Sequence, residues 1–178
     1  TANELESIIA YLACLRARWP VILVAEGQAS PESGIARTYR PNVVFRRAEV
    51  GWKTSLTSAE PAAIHAELAV LLSTSGTTGA AKLVRLSASN LQANASAIAA
   101  YLNLSPAERA ITALQFHYSY GMSVLHTHLL SHAALVLTAA SLMDAEFWSL
   151  ARRHGTTSLA LVPTQFELLE KISFSKQQ

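Results

Sequence analysis

The sequence has very few of the residues from which disulfides, metal sites and catalytic dyads are built. Cysteine occurs once among its 178 residues, at Cys14, so no disulfide can form within the chain. Aspartate also occurs once, at Asp144. No apolar run reaches the roughly 18 residues that a membrane-spanning helix requires. The first residues carry glutamates and no basic cluster, unlike a signal peptide. We therefore expect a cytoplasmic protein without a membrane span.

Charge is also scarce, and the two signs nearly balance. Charged residues make up 15% of the chain against 51% hydrophobic residues, a composition that excludes disorder and supplies a core. The net charge is +2, and the only adjacent basic pairs are Arg46-Arg47 and Arg152-Arg153. Nothing in this distribution favours a nucleic-acid partner.

Short apolar runs alternate with amphipathic stretches along the chain. Strands are predicted at residues 21–24, 43–45, 68–72, 83–86, 110–114, 135–137 and 159–162. Helices are predicted at residues 3–17, 89–102, 105–108, 121–131 and 144–155, and from residue 163 onward. This alternation predicts an α/β fold with a mostly parallel sheet flanked by helices. Residues 26–60 show no clear pattern apart from the short strand.

One segment between two predicted strands is rich in hydroxyl residues and glycine. It reads Ser73-Thr74-Ser75-Gly76-Thr77-Thr78-Gly79-Ala80-Ala81-Lys82. Glycine allows backbone amides to approach a ligand, and successive amides form a concave anion site. Lys82 adds a point charge suited to phosphate. We expect this segment to bind a polyphosphate at the carboxyl end of a strand, where α/β sheets bind ligands.

The same segment has other interpretations, as a plain turn, a P-loop or part of a serine hydrolase. Clusters of Ser, Thr and Gly between strands are often plain turns. The P-loop pattern G-x-x-x-x-G-K-[ST] is not met, because Gly76 and Gly79 are three residues apart and Leu83 follows Lys82. A serine hydrolase centred on Ser75 would need a G-x-S-x-G elbow, which is absent, and would have Asp144 as its sole aspartate.

The order of residues in the segment resembles the phosphate loop of the adenylate-forming superfamily, which includes acyl-CoA synthetases and peptide-synthetase adenylation domains. That loop reads approximately [ST]-S-G-[ST]-T-G-x-P-K. Thr74 through Gly79 match it, Lys82 falls on the lysine, and Ala81 replaces the proline. The resemblance implies that ATP phosphates, with Mg²⁺ sharing their charge, are bound by Thr74, Ser75, Gly76, Thr77, Thr78, Gly79 and Lys82.

A second segment also resembles the family. Family members commonly read F-H-x-x-G, and here Phe116-His117-Tyr118-Ser119-Tyr120-Gly121 has one extra residue before the glycine. Both His117 and Tyr118 are therefore candidates for the histidine position. The resemblance implies that Phe116, His117, Tyr118 and Gly121 line a pocket for a carboxylate substrate. By residue type alone, such alternating aromatics are more often core packing.

The resemblance implies an AMP-forming ligase that activates a small carboxylic acid with ATP and transfers it to CoA or to a carrier protein's phosphopantetheine. Family chains are longer, and no Y-G-x-[ST]-E adenine motif occurs here. We therefore expect residues 1–178 to be one partial domain, an internal piece of the large N-terminal domain that is inactive alone. The catalytic lysine of the family's C-terminal domain would lie beyond this chain. A non-catalytic phosphate-binding or interaction module is the alternative.

Histidines near the middle of the chain invite a metal interpretation. His128 and His132 are four residues apart on a predicted helix, and His126 precedes them. No cysteine is near and carboxylates are distant in the sequence. Half-buried helical histidines are the more typical explanation, so we predict no metal site.

Overall fold

A computed structural model describes residues 2–58, 60, 63–73 and 83–171. The chain divides into two compact units, Thr1–Asn90 and Leu91–Gln178. The helices are α1 (Leu5–Arg16), α2 (Gly34–Tyr39), α3 (Ala88–Tyr101), α4 (Ser119–Leu130), α5 (Ala145–Arg153) and α6 (Pro163–Lys171). The strands are β1 (Val21–Leu23), β2 (Val43–Arg47), β3 (Trp52–Leu56), β4 (Leu68–Ser73), β5 (Leu83–Ser87), β6 (Arg109–Ile111), β7 (Ala134–Val136) and β8 (Ser158–Leu159).

The first unit contains a three-stranded sheet in the order β1-β4-β5. β1 and β4 run parallel, with Val21 opposite Val70, whereas β5 returns antiparallel to β4. Val70 and Leu72 are buried on β4, as continuous apolar strands predict. The sheet therefore places the carboxyl end of β4 beside the start of β5.

The first unit also contains a β2–β3 hairpin that rests on the start of α1. Trp52 stacks on Phe45 with ring centroids 4.9 Å apart, and its indole N–H donates to Glu4 Oε2 at 3.2 Å. Glu4 also pairs with Arg47 of β2. These contacts hold β3 in place although its own sequence has little strand character.

The second unit contains a parallel sheet in the order β7-β6-β8. A core packs around it from the sheet, α5, α6 and the connecting residues, and its buried members are Ile111, Leu142, Phe147, Trp148, Leu161 and Leu169. Because the strands are parallel, the residues that follow β6, β7 and β8 lie at one edge of the sheet. That edge carries the second candidate segment.

The predicted α/β class is confirmed, and most predicted elements are present with shifted ends. Residues 105–108 form a turn and not the predicted helix: Ser105 O accepts from Glu108 N at 3.0 Å, and its hydroxyl accepts from Ala107 N. A single turn without an apolar face has no packing to extend it. α2 and β3 are additional to the prediction. Across the described residues, no helix has both the length and the apolarity to cross a bilayer.

Candidate functional site

The hydroxyl-glycine segment leaves β4 and enters β5. Its predicted phosphate ligands Thr74, Ser75, Gly76, Thr77, Thr78, Gly79 and Lys82 all lie outside the described residues. On either side of it, Ser73 of β4 and Leu83 of β5 are paired across the antiparallel ladder. β4 itself pairs in parallel with β1, so the segment follows the carboxyl end of a parallel-paired strand. This is the position at which α/β sheets bind ligands.

The aromatic segment forms a tight turn between β6 and α4. Tyr118 is the N-cap of α4, and its backbone N–H donates to Gln115 O at 3.1 Å. Phe116 is 3% exposed and therefore belongs to the packed interior. His117 is also buried, whereas Tyr118 is 54% exposed. The structure thus gives the two candidates for the histidine position different settings, one buried and one at the surface.

The His117 ring carries an uncommitted nitrogen. Its Nδ1 is buried and has no hydrogen-bond partner within the described residues. Burial lowers the pKa of the imidazole below its ordinary value, so the ring is neutral at neutral pH. The Tyr118 ring lies against it, with centroids 4.1 Å apart and planes inclined by 42°. A buried polar atom without a partner is costly in a folded protein and is common at binding sites.

Gly121 lies on the other side of this turn, in the first turn of α4. It is buried, and the position that a Cβ would occupy is filled by the backbone of Gln115. A side chain at this position would therefore collide with the peptide groups of the turn. The structure brings together the four predicted lining residues, Phe116, His117, Tyr118 and Gly121, in this turn and the start of α4. Tyr118 is exposed and the other three are buried.

Two buried threonines at the same sheet edge were not singled out by the sequence analysis. Thr138 N, after β7, donates to Thr112 Oγ1, after β6, at 3.1 Å. Thr112 N donates in turn to Val136 O at 3.0 Å. The bond joins the carboxyl ends of neighbouring strands, just before the turn that carries His117. In the sequence, both threonines directly follow apolar strand residues, and this position was the signal that could have identified them.

A second connection at this edge comes from Gln165 in α6. Its amide nitrogen donates to Ala113 O at 3.1 Å, and its amide oxygen accepts from Val162 N at 3.0 Å. The side chain therefore bridges the residues that follow β6 and β8. From the sequence we predicted a strand followed by a helix starting at Pro163, and Gln165 itself was assigned no role.

The histidines of α4 do not gather into a metal site. His128 Nδ1 lies 2.8 Å from Val124 O of its own helix, and burial lowers the pKa of His126. In the described ranges, no three side chains of His, Cys, Asp or Glu are grouped to hold a metal ion. His128 is therefore bonded to its own helix through Nδ1.

Comparison with protein families gives one match that spans the chain. The family described as "AMP-binding enzyme" matches residues 1–178. Among curated proteins, the chain is similar to the sulfoacetate–CoA ligase of Cupriavidus necator, with 36% identity over 96 residues. These residues are 54% of this chain and 19% of that ligase.

Solved structures give the same picture. The chain is similar to the O-succinylbenzoate coenzyme A synthetase MenE of Bacillus subtilis, solved in complex with AMP, with a TM-score of 0.52 and 28% identity over 65% of this chain and 32% of that one. It is also similar to ATP-bound MatB of Rhodopseudomonas palustris, with a TM-score of 0.51 and 30% identity over 57% and 20% of the two chains. The chain thus spans a minor part of each relative.

Proposed function

The chain belongs to the AMP-binding enzyme family, and from this premise we propose that it is part of an AMP-forming ligase that joins a carboxylic acid to a thiol. The observation that carries the proposal is its likeness to structures solved with AMP and with ATP, over more than half of its length. The placement of the hydroxyl-glycine segment after a parallel-paired strand supports the same conclusion.

In the proposed reaction, a carboxylate oxygen of the acid attacks the α-phosphorus of ATP. The bond from that phosphorus to the oxygen bridging the α- and β-phosphates breaks, and pyrophosphate leaves with the electron pair. A thiolate then attacks the acyl carbon, forming a thioester and releasing AMP. The protein's contribution to both steps is positioning and neutralisation of charge.

The hydroxyl-glycine segment would hold the departing pyrophosphate. In this proposal the amides of Gly76 and Gly79, the hydroxyls between them and Lys82 bind the β- and γ-phosphates. Mg²⁺, a hard cation that prefers oxygen ligands, would be held by phosphate oxygens together with hydroxyls of this segment and would offset charge there. Ala81, in place of proline, adds a backbone N–H and removes no phosphate-binding group.

The acid would bind beside the turn at residues 115–121. The neutral His117 ring with its unpartnered Nδ1 can donate a hydrogen bond to a carboxylate without requiring a charge in a buried place. The exposed Tyr118 ring would cover the bound acid from the solvent side. The similarity to enzymes named as CoA ligases supports CoA as the thiol acceptor, with a carrier protein as the alternative.

We expect the 178 residues alone not to complete the reaction. They contain no Y-G-x-[ST]-E motif to bind adenine, and no lysine here matches the catalytic lysine of the family's C-terminal domain. Acid-dependent exchange of pyrophosphate into ATP by this chain alone would contradict that expectation.

Lys82 provides the direct test of nucleotide binding. Replacing it by alanine removes a charge-assisted contact, which we expect to weaken ATP and pyrophosphate binding about 10- to 100-fold. Lys171→Ala, at the exposed end of α6, is the matched control and should bind as the unaltered chain does. Calorimetric titration of the 178-residue chain measures both, and pyrophosphate exchange in the full-length parent measures the chemistry.

Three results would separate the alternatives. Loss of binding in Lys82→Ala with no loss in Lys171→Ala supports the proposal. Equal binding by both variants would overturn the assignment of the segment to phosphates. Binding of inorganic phosphate without preference for ATP, together with no acid-dependent exchange by the full-length parent, would favour a non-catalytic phosphate-binding module.

A further inference from the structure

The turn before α4 is closed by a contact that only glycine permits. A Cβ on Gly121 would lie 2.8 Å from the carbonyl carbon of Gln115, closer still to its oxygen, and 3.1 Å from Leu114 O. All three are backbone atoms, so no side-chain rotation could make room. Any residue other than glycine would have to push the first turn of α4 away from the Leu114–Gln115 peptides.

The same carbonyl also accepts a hydrogen bond within the turn. Gln115 O accepts the backbone N–H of Tyr118 at 3.1 Å, and Tyr118 O accepts the N–H of Met122 at 2.9 Å. One carbonyl thus closes the turn by a hydrogen bond and also contacts Gly121. Moving the start of α4 away from Gln115 would strain the hydrogen bond from Tyr118 N–H to Gln115 O, because Tyr118 is the N-cap of α4.

Between these two contacts lie Phe116, His117 and Tyr118, beside which the proposed function places the acid. Phe116 and His117 are buried, whereas Tyr118 is 54% exposed, so the turn sets where the buried His117 ring meets the exposed Tyr118 ring. Their rings lie 4.1 Å apart between centroids. An opening of the turn would therefore change the position of the two rings relative to each other.

We propose that Gly121 is a positioning residue: its contact with the Gln115 carbonyl sets where the His117 and Tyr118 rings stand. It does not touch the substrate in this account and acts through the two rings. The consequence for catalysis rests on the proposed function, whereas the consequence for ring geometry does not. The matched glycine is Gly34 in α2, which has open space where a Cβ would be added.

The test uses the 178-residue chain with Gly121→Ala and Gly34→Ala. Nuclear magnetic resonance of the histidine rings reads the geometry, since the Tyr118 ring shifts the His117 ring protons by its ring current. We expect Gly121→Ala to lose most of this shift and to move the His117 titration toward that of an exposed histidine. The ring signals of the exposed His132 should stay unchanged in Gly121→Ala. In Gly34→Ala, the ring signals of all histidines should stay unchanged.

Unchanged His117 signals in a folded Gly121→Ala chain would overturn the proposal. If that variant does not fold, hydrogen exchange of the Tyr118 amide in the unaltered chain decides: protection of at least 10-fold over an open loop supports the closed turn, and none overturns it. In the full-length parent we expect kcat to fall 10-fold or more with the KM for ATP unchanged. Altered rings in a protein whose unaltered parent shows no exchange activity would defeat the proposed function and leave the positioning role standing.

Discussion

The substitution Thr112→Val removes a buried hydrogen bond but keeps the buried volume, at the end of the sheet where the candidate site lies. Thr112 is 3% exposed, and its hydroxyl oxygen accepts the backbone N–H of Thr138 at 3.1 Å. Valine fills nearly the same space, so no cavity follows. The N–H of Thr138 is left buried without an acceptor, which costs about 1–3 kcal/mol of unfolding free energy.

Thr127→Val is the matched control, because Thr127 is equally buried at 2% exposed. Its hydroxyl donates to Ser123 O at 2.8 Å and Val124 O at 3.1 Å, and it lies 3.4 Å from His128 Nδ1, which keeps Val124 O as its own partner at 2.8 Å. Both carbonyls lie inside α4 and keep their helical partners, so removal of the hydroxyl leaves no orphaned donor. We expect a cost below about 0.5 kcal/mol, since hydroxyl bonds back to helix carbonyls stabilise little.

The assay is thermal unfolding followed by the indole N–H resonance of Trp148. This N–H donates to Leu142 O at 2.9 Å and reports the second unit alone. A loss of 1 kcal/mol corresponds to a fall in Tm of roughly 4–8 °C for a unit of this size. Equal Tm values for the two valine variants would refute the reasoning.

Two further predictions concern the core and the dependence on pH. Phe147 is 0% exposed and packs edge-on against Trp148, so Phe147→Ala should cost about 3–5 kcal/mol in urea unfolding. The exposed Phe166→Ala should cost less than about 0.5 kcal/mol, and comparable losses would contradict the core assignment. Burial lowers the pKa of His117, so the unfolded chain takes up its proton first as pH falls below about 6.5. The contribution of His117 to the free energy of unfolding is therefore fully present above that pH. It is lost as the pH falls toward the pKa of His117 in the folded state. His117→Asn should lose less stability between pH 7.5 and 5.5 than the unaltered chain, by urea midpoints, with the remainder due in part to His126.

Much of the second unit could be predicted because its elements carry strong local patterns. The predicted helix at 121–131 is present as Ser119–Leu130, and the predicted helix at 144–155 as Ala145–Arg153. In both, apolar residues recur at helical spacing and turn residues mark the ends. The α/β class followed from the alternation of such helices with apolar strands.

The hairpin and the single-turn helix show where local patterns were insufficient. β3 is Trp52–Leu56, which is polar in its middle and exists through pairing with β2 and the stack of Trp52 on Phe45. Residues 105–108 carry a helix-start pattern but have no apolar face to bury, so they stop after one turn. Packing, not propensity, decided both outcomes.

The candidate site divides in the same way. Phe116 and His117 could be singled out from the sequence, and the prediction that the hydroxyl-glycine segment binds phosphate rests on its residue types. That His117 is buried and Tyr118 exposed could not be read, because both are aromatic residues beside a strand end. The role of Gln165 was also hidden, since its partner Ala113 is 52 residues away.

The amino-acid sequence by itself determined the α/β class and most of the order of elements, and it carries the prediction that one segment binds phosphate, because each depends on residue type and short spacing. Only the tertiary structure decided that β5 returns antiparallel to β4, that Thr112 accepts the Thr138 amide, and that Gly121 rests on the Gln115 carbonyl. Such contacts depend on strand register and on how closely backbones approach. Those are set by the packing of the whole unit and leave no periodic trace in the chain.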